Sequence, residues 1–233
     1  MYSFITEVLE NKASFYAYSE VEKIRREMLA DKSAITVNDL GAGSAVMRSN
    51  QRKICDIARY SVKPQRMGQL LHRITVYYQP VNGIELGTSL GITTLYFALA
   101  DRKKPVFTIE GSGEILNFAK LNSEKLKAGN IISFEGNFID HLPAILNENT
   151  PGLVFVDGNH TKKATLLYFE MIMKKADNDT IIVFDDIHWS GEMEEAWEVI
   201  KQNEKVKVTV DVFYMGIVFL RRELQKEDFR IRF

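Results

Sequence analysis

The chain has 233 residues, 45% hydrophobic and 26% charged, an ordinary globular composition that can build a sizeable core. Thirty basic against 31 acidic residues leave a formal charge of −1, so bulk electrostatics offer no footprint for a nucleic-acid backbone or an anionic membrane. The lone Cys55 excludes an intramolecular disulfide, Glu7, Glu10 and Lys12 interrupt any apolar leader, and no stretch approaches the ~20 apolar residues of a membrane span. A cytoplasmic protein with small-molecule partners is expected.

From Met1 to about Leu29, the apolar positions Phe4, Ile5, Val8, Leu9, Phe15, Val21, Ile24 and Met28 recur near helical spacing. Between Ser44 and Tyr78 the pattern is again helical, with Lys63-Pro64 as a break. After Pro80 short β-branched or aromatic runs alternate with helical segments, as in βαβ units of a parallel sheet. The strand candidates are Gly83–Leu86, Val106–Ile109, Ile131–Phe134, Leu153–Val156 and Ile181–Phe184. At the end, Val206–Phe213 and Gly216–Leu220 are separated by only Tyr214 and Met215, too short a link for a parallel crossover, so an antiparallel hairpin is expected. The reading is α/β: a Rossmann-like sheet of seven strands, five parallel plus a C-terminal antiparallel hairpin. It divides into a helical N-terminal extension (1–79) and a nucleoside-binding domain (80–233).

The run Gly83-Ile-Glu-Leu-Gly-Thr-Ser-Leu-Gly places an acid at the end of a buried strand, then a glycine loop, then a helix. Glycines at a strand-to-helix turn let a ligand approach the backbone at the carboxyl edge of an open sheet. The next strand ends at Glu110, 25 residues after Glu85, near the spacing of about 20 expected of a ribose-binding acid. Only two glycines stand in Gly87-Thr-Ser-Leu-Gly91, so the dinucleotide fingerprint is not met and a pyrophosphate is not implied. Val37-Asn-Asp-Leu-Gly-Ala-Gly-Ser is a rival spelling, but the region about 20 residues beyond Asp39 offers neither strand nor acid; the Asp39–Ser44 loop is read as structural, with lining of the acceptor pocket as the alternative. At the fourth and fifth strand ends, Val154-Phe-Val-Asp-Gly-Asn-His and Val183-Phe-Asp-Asp-Ile-His-Trp-Ser-Gly would bring Asp157, Asp185 and Asp186 close together. Three carboxylates in a small volume call for a proton or a hard cation such as Mg²⁺.

The first motif resembles E/D-x-G-x-x-x-G of the class I S-adenosylmethionine-dependent methyltransferases. Asp185-Asp-Ile-His-Trp-Ser-Gly and Asp157-Gly-Asn-His are similar to the D-N-x-x-W-x-G and D-x-x-K motifs of metal-dependent O-methyltransferases of the catechol and caffeoyl-CoA type, with Asp186 in place of Asn and His160 in place of Lys. The resemblance spans about Pro64 to Leu220. It implies that Glu85, Gly87, Thr88, Ser89 and Gly91 contact S-adenosylmethionine. Glu110 with Gly111 would take the ribose, and Gly136, Asn137 and Asp157 would complete the cofactor set. Asp157, Asp185 and Asp186 would hold a divalent cation. His160, with Asp157, is expected to serve the chemistry as base, and His188 is the second choice. Trp189 and Trp197 are expected in the core or a pocket wall, with Tyr60 and Arg66 as further candidates for the pocket. A small-molecule hydroxyl is the expected methyl acceptor. The alternatives are a nucleoside-binding interaction protein without turnover and an aminopropyl-type transferase. The amphipathic N-terminal helices could support a homodimer.

Overall fold

The computed structural model describes residues 1–37 and 50–233. The Asp39–Ser44 loop lies outside those residues. The fold is mixed α/β with a large sheet of mostly parallel strands and some antiparallel ones. The residues group into two compact units, Met1–Gln79 with Thr88–Asn137, and Pro80–Gly87 with Phe138–Phe233.

The first unit opens with α1 (Tyr2–Phe4), continued by a π-helical turn at Ile5–Leu9, and α2 (Tyr16–Ala30). A two-stranded antiparallel ribbon, β1 (Ala34–Thr36) and β2 (Gln51–Lys53), leads into α3 (Ile54–Tyr60) and α4 (Gln65–Tyr78). Helix α4 begins directly after Pro64 and ends where Gln79 adopts a left-handed conformation ahead of Pro80. Val21, Ile24, Met28, Ile57, Leu70, Leu71 and Ile74 are buried at helical spacing, so the apolar stripes read from the sequence form the core.

These helices also bury a polar knot. Glu22 accepts both a bond from Arg25 Nε at 2.9 Å and the Tyr96 hydroxyl at 2.9 Å. His72 Nδ1 lies 2.9 Å from the Tyr96 carbonyl oxygen, so Nδ1 carries the proton, and its ring is edged by Phe15, Tyr18 and Tyr96. Burial lowers the His72 pKa from its ordinary value of 6.5, outweighing the Tyr96 carbonyl bond that favours the cation. Gly68 is required here: a Cβ would stand 2.3 Å from the Tyr96 ring.

The same unit contains α5 (Ile92–Ala100), β4 (Val106–Glu110), α6 (Gly113–Lys125) and β5 (Ile131–Glu135), with β4 and β5 parallel. Helix α5 is buried from Ile92 to Ala98, whereas β5 is largely open to solvent, as an edge strand can be.

The second unit begins with β3 (Gly83–Leu86) and resumes with α7 (Phe138–Glu148), β6 (Leu153–Val156), α8 (Lys162–Met173) and β7 (Ile181–Asp185). It closes with α9 (Gly191–Gln202), β8 (Val208–Asp211), β9 (Met215–Phe219) and β10 (Glu227–Arg230). Its strand order is β10-β8-β9-β7-β6-β3, with β9 antiparallel to both neighbours. Strands β3, β6 and β7 are buried throughout, as expected of parallel strands covered on both faces, and only β6 is apolar from end to end: β3 carries Glu85 and β7 ends in Asp185. The hairpin forms as expected, but the sheet gains a strand beyond the seven, because β10 pairs parallel to β8.

Both Trp positions were expected in the core or a pocket wall. Trp197 is buried, 6.5 Å from the Phe184 ring, and packs so closely on Gly216 that a Cβ there would be 2.6 Å from the indole. Trp189 is not core: it is 67% exposed, one residue before the Ser190 cap of α9.

Candidate functional site

In the first unit, Gly91 sits at φ +83° and caps α5, while Ser89 is held at φ +46°, in the left-handed region that a residue with a side chain rarely occupies. The loop is tied down by Gly91 N–H to Thr88 O (2.9 Å), Thr88 N–H to Ile109 O (3.3 Å) and a hydroxyl pair between Thr88 and Thr108 (2.6 Å). Glu110, at the tip of β4, accepts the Ser89 N–H on Oε2 (2.9 Å) and the Ser112 N–H on Oε1 (3.1 Å). A carboxylate oxygen can accept more than one hydrogen bond, and a pair of such oxygens matches the spacing of a vicinal diol. Beside it the Ser89 Oγ is buried and has no hydrogen-bond partner among the described residues. Gly136, at φ +138°, donates to the Glu110 carbonyl at 2.9 Å, and Asn137 follows it, exposed. Gly111 continues from Glu110 into the Ser112 turn. A cavity of about 580 Å³ in this unit runs along α6 past Leu116, Ala119 and Ser123; Glu110 and Gly136 are not among its lining residues.

In the second unit, Glu85 is fully buried on β3. Gly87 stands at φ +106°, where a Cβ would be 1.9 Å from the Asp157 carbonyl oxygen; no other residue fits this turn. Asp157 follows β6 and donates its N–H to Leu86 O at 2.8 Å. A Cβ at Gly158 would meet the Phe138 ring at 2.9 Å, and Phe138 in turn packs on Tyr168, whose hydroxyl accepts from Asn159 at 3.2 Å.

Asp157, His160 and Asp185 each offer a ligand atom, all within 4.8 Å of one another. His160 Nε2 lies 3.6 Å from Asp157 Oδ1 and 3.7 Å from Asp186 Oδ2. Among the described residues, the ligand-competent group thus contains His160, and Asp186 approaches it through that imidazole rather than as the third member. Asp186 takes a left-handed turn, φ +53°, with its N–H on Tyr214 O at 2.7 Å.

His188 is engaged at both nitrogens, with Nε2 2.9 Å from Asp211 and Nδ1 3.1 Å from Glu194. Asp211 also accepts the Phe213 N–H at 2.8 Å and Arg230 Nε at 2.9 Å. Burial alone would raise the Asp211 pKa, but these bonds outweigh it and hold the carboxyl below its ordinary value. Sequence reasoning did not name Asp211 or Ser112. The Glu-Gly-Ser spelling after β4 was a usable signal for Ser112; nothing in the sequence pairs Asp211 with His188. Tyr60, Arg66, Trp189, Phe213 and Tyr214 are all exposed.

Residues 84–187 match the family model of the methyltransferase domain. No curated protein matches. Among solved structures, the chain is similar to the SAH-bound methyltransferase PaMTH1 of Podospora anserina (TM-score 0.65, 14% identity, 93% of each chain covered). It is also similar to the O-methyltransferase TomG of Streptomyces achromogenes, involved in tomaymycin synthesis and solved with SAM (0.62, 16%, 90% of this chain and 91% of that one). A third is an O-methyltransferase of Bacillus cereus in complex with SAH (0.60, 19%, 93% and 96%). At these identities the likeness is one of fold, a Rossmann-like methyltransferase fold.

Proposed function

We propose that this chain, which has a Rossmann-like methyltransferase fold and matches a methyltransferase domain over residues 84–187, moves a methyl group from S-adenosylmethionine to a hydroxyl of a small molecule with the help of a divalent cation. The carrying observation is that the matched span contains both the glycine loop with Glu110 and the Asp157–His160–Asp185 group.

Three local features support the donor. Glu110 is a carboxylate of the type suited to ribose hydroxyls, Ser89 Oγ is a buried hydroxyl without a partner among the described residues, and the Gly87 turn tolerates no side chain. The remaining proposed contacts are Glu85, Thr88, Gly91, Gly111, Gly136, Asn137 and Asp157. The sulfonium of the donor is already electrophilic, so the protein's task is to orient the acceptor in line and remove its proton.

Asp157 and Asp185 supply carboxylate oxygens for the cation, with His160 and Asp186 beside them. When bound, such an ion lowers the pKa of a coordinated hydroxyl. Carboxylate oxygens suit a hard ion such as Mg²⁺ or Mn²⁺. His160 Nε2 takes the acceptor proton, and the resulting imidazolium stands between Asp157 and Asp186.

No helix among the described residues is long and apolar enough to cross a membrane. The neutral charge balance supports a small-molecule acceptor over nucleic acid.

Calorimetric titration of S-adenosylmethionine and S-adenosylhomocysteine, with NAD as control, tests the reading. Saturable binding of the first two that is abolished by Glu110→Ala is expected. No binding with or without Mn²⁺ would reduce the glycine loop to a structural turn. Binding without methyl transfer across a broad acceptor panel would favour an interaction protein.

A further inference from the structure

The extra strand β10 ends its run of the sheet, and no strand among the described residues lies beyond it. Its backbone facing follows from the ladder it makes with β8. Glu227 N–H donates to Lys207 O at 2.9 Å and Ile231 N–H to Asp211 O at 2.8 Å. In a parallel ladder the N–H and C=O of one residue point the same way and alternate along the strand. The backbone groups of Glu227, Phe229 and Ile231 therefore serve β8, and those of Asp228 and Arg230 point outward.

We propose that this edge pairs with the same edge of a second copy of the chain, antiparallel and centred on Phe229. A two-fold pairing of a strand with itself has few registers to choose from, and charge selects among them. Centring on Arg230 would set the arginine against itself, which cross-strand pairing disfavours. Centring on Phe229 sets Asp228 opposite Arg230 of the second copy and Arg230 opposite its Asp228. Those are the two residues whose backbone groups face outward, so the same register closes hydrogen-bonded pairs and opposite-charge pairs together. Phe229, whose side chain is half-buried on the other face, then meets Phe229 of the second copy in the closer, non-hydrogen-bonded position, a favourable aromatic pair.

The side chains are held where this geometry needs them. Asp228 accepts from the Thr209 hydroxyl at 2.6 Å, and Arg230 bonds Asp211 through Nε while its side chain remains 77% exposed. Open edges are ordinarily blunted with charged side chains, especially lysine, whose like charges repel across a two-fold pairing. An edge spelled Glu-Asp-Phe-Arg carries both signs in an order complementary to its own reversal, which favours a second copy of this chain over an unrelated strand.

The test uses the full chain and its mass by light scattering. The wild type is expected at twice the 26.7 kDa protomer mass. Asp228→Arg leaves two arginines on the edge and Arg230→Asp leaves two aspartates, so each variant alone is expected at protomer mass. Mixed one to one, they are expected to regain the double mass. Should Arg230→Asp fail to fold through loss of its bond to Asp211, a Phe229→Cys variant in a Cys55→Ser background decides the matter. It is expected to form an intermolecular disulfide under mild oxidation. The more exposed Glu227→Cys is not, because its counterpart lies ~13 Å away in this register. A wild type at protomer mass, single variants that stay dimeric, or equal cross-linking of both cysteine variants would each overturn the proposal.

Discussion

Two histidine–carboxylate groups occupy the same compact unit and are built on opposite terms. Around His188, both ring nitrogens make short contacts, and Asp211 is answered by His188, the Phe213 N–H and Arg230. Around His160, one nitrogen is shared at 3.6 and 3.7 Å by two carboxylates, with Asp185 completing a ligand-sized group. The first group balances its charges through close hydrogen bonds and ties the loop after β7 to β8 and β10. The second gathers three acids around a single imidazole, at distances that admit an ion or a moving proton. Equal residue types thus mark a brace in one place and the proposed reactive centre in the other, and what separates them is distance and charge balance.

The comparison is broken most directly at His160. His160→Ala is expected to lower methyl transfer about 10²–10⁴-fold, the usual contribution of a positioned general base, while leaving thermal unfolding near wild type. The rate is read on whichever member of a hydroxyl panel the wild type turns over fastest, alongside a Mn²⁺ titration. Lost turnover with unchanged cation affinity identifies the base; a parallel loss of affinity makes His160 a ligand instead. Unchanged turnover removes it from the chemistry.

His188→Ala should do the reverse. Removing a partner from bonds to charged groups costs ~1.5–3 kcal/mol, visible as a lower urea midpoint at constant slope, with turnover close to wild type. A variant that keeps its midpoint but loses turnover would move the reactive centre to His188 and undo the distinction drawn here.

The two groups are unevenly legible in the sequence. Asp157, Asp185 and Asp186 stand at the ends of apolar runs, and the parallel topology brings strand ends together, so their approach follows from hydropathy and topology, whereas His160 was legible only through the resemblance of Asp157-Gly-Asn-His to D-x-x-K. Asp211 reaches His188 across 23 residues from a different strand, a contact that no periodicity encodes. The core strands were similarly plain: Leu153–Val156 and Ile181–Asp185 are apolar runs bounded by turn residues. Strand β10 was not, since three of its four residues are charged and it depends on the ladder with β8 rather than on burial. The Met193, Ala196, Trp197 and Ile200 stripe announces the buried face of α9, whereas Trp189 precedes the Ser190 cap, where helical spacing says nothing.

The smallest expected effect sharpens the same contrast through acid. Asp211 has its native pKa held below the ordinary 3.8, so as pH falls the unfolded chain takes up this proton first. Its stabilising contribution is complete above the unfolded value and is lost as pH drops through the lower native value. An Asp211→Asn variant should therefore start less stable at neutral pH and lose less on acidification. Its unfolding temperature, followed from pH 7 to about 2, should converge on that of the wild type at the acid end. The His188 group holds its charges for the folded state, so its acid dependence appears in stability. An unchanged acid limb in Asp211→Asn would mean that the short bonds around His188 brace nothing, and the two histidine groups would then differ in distance alone.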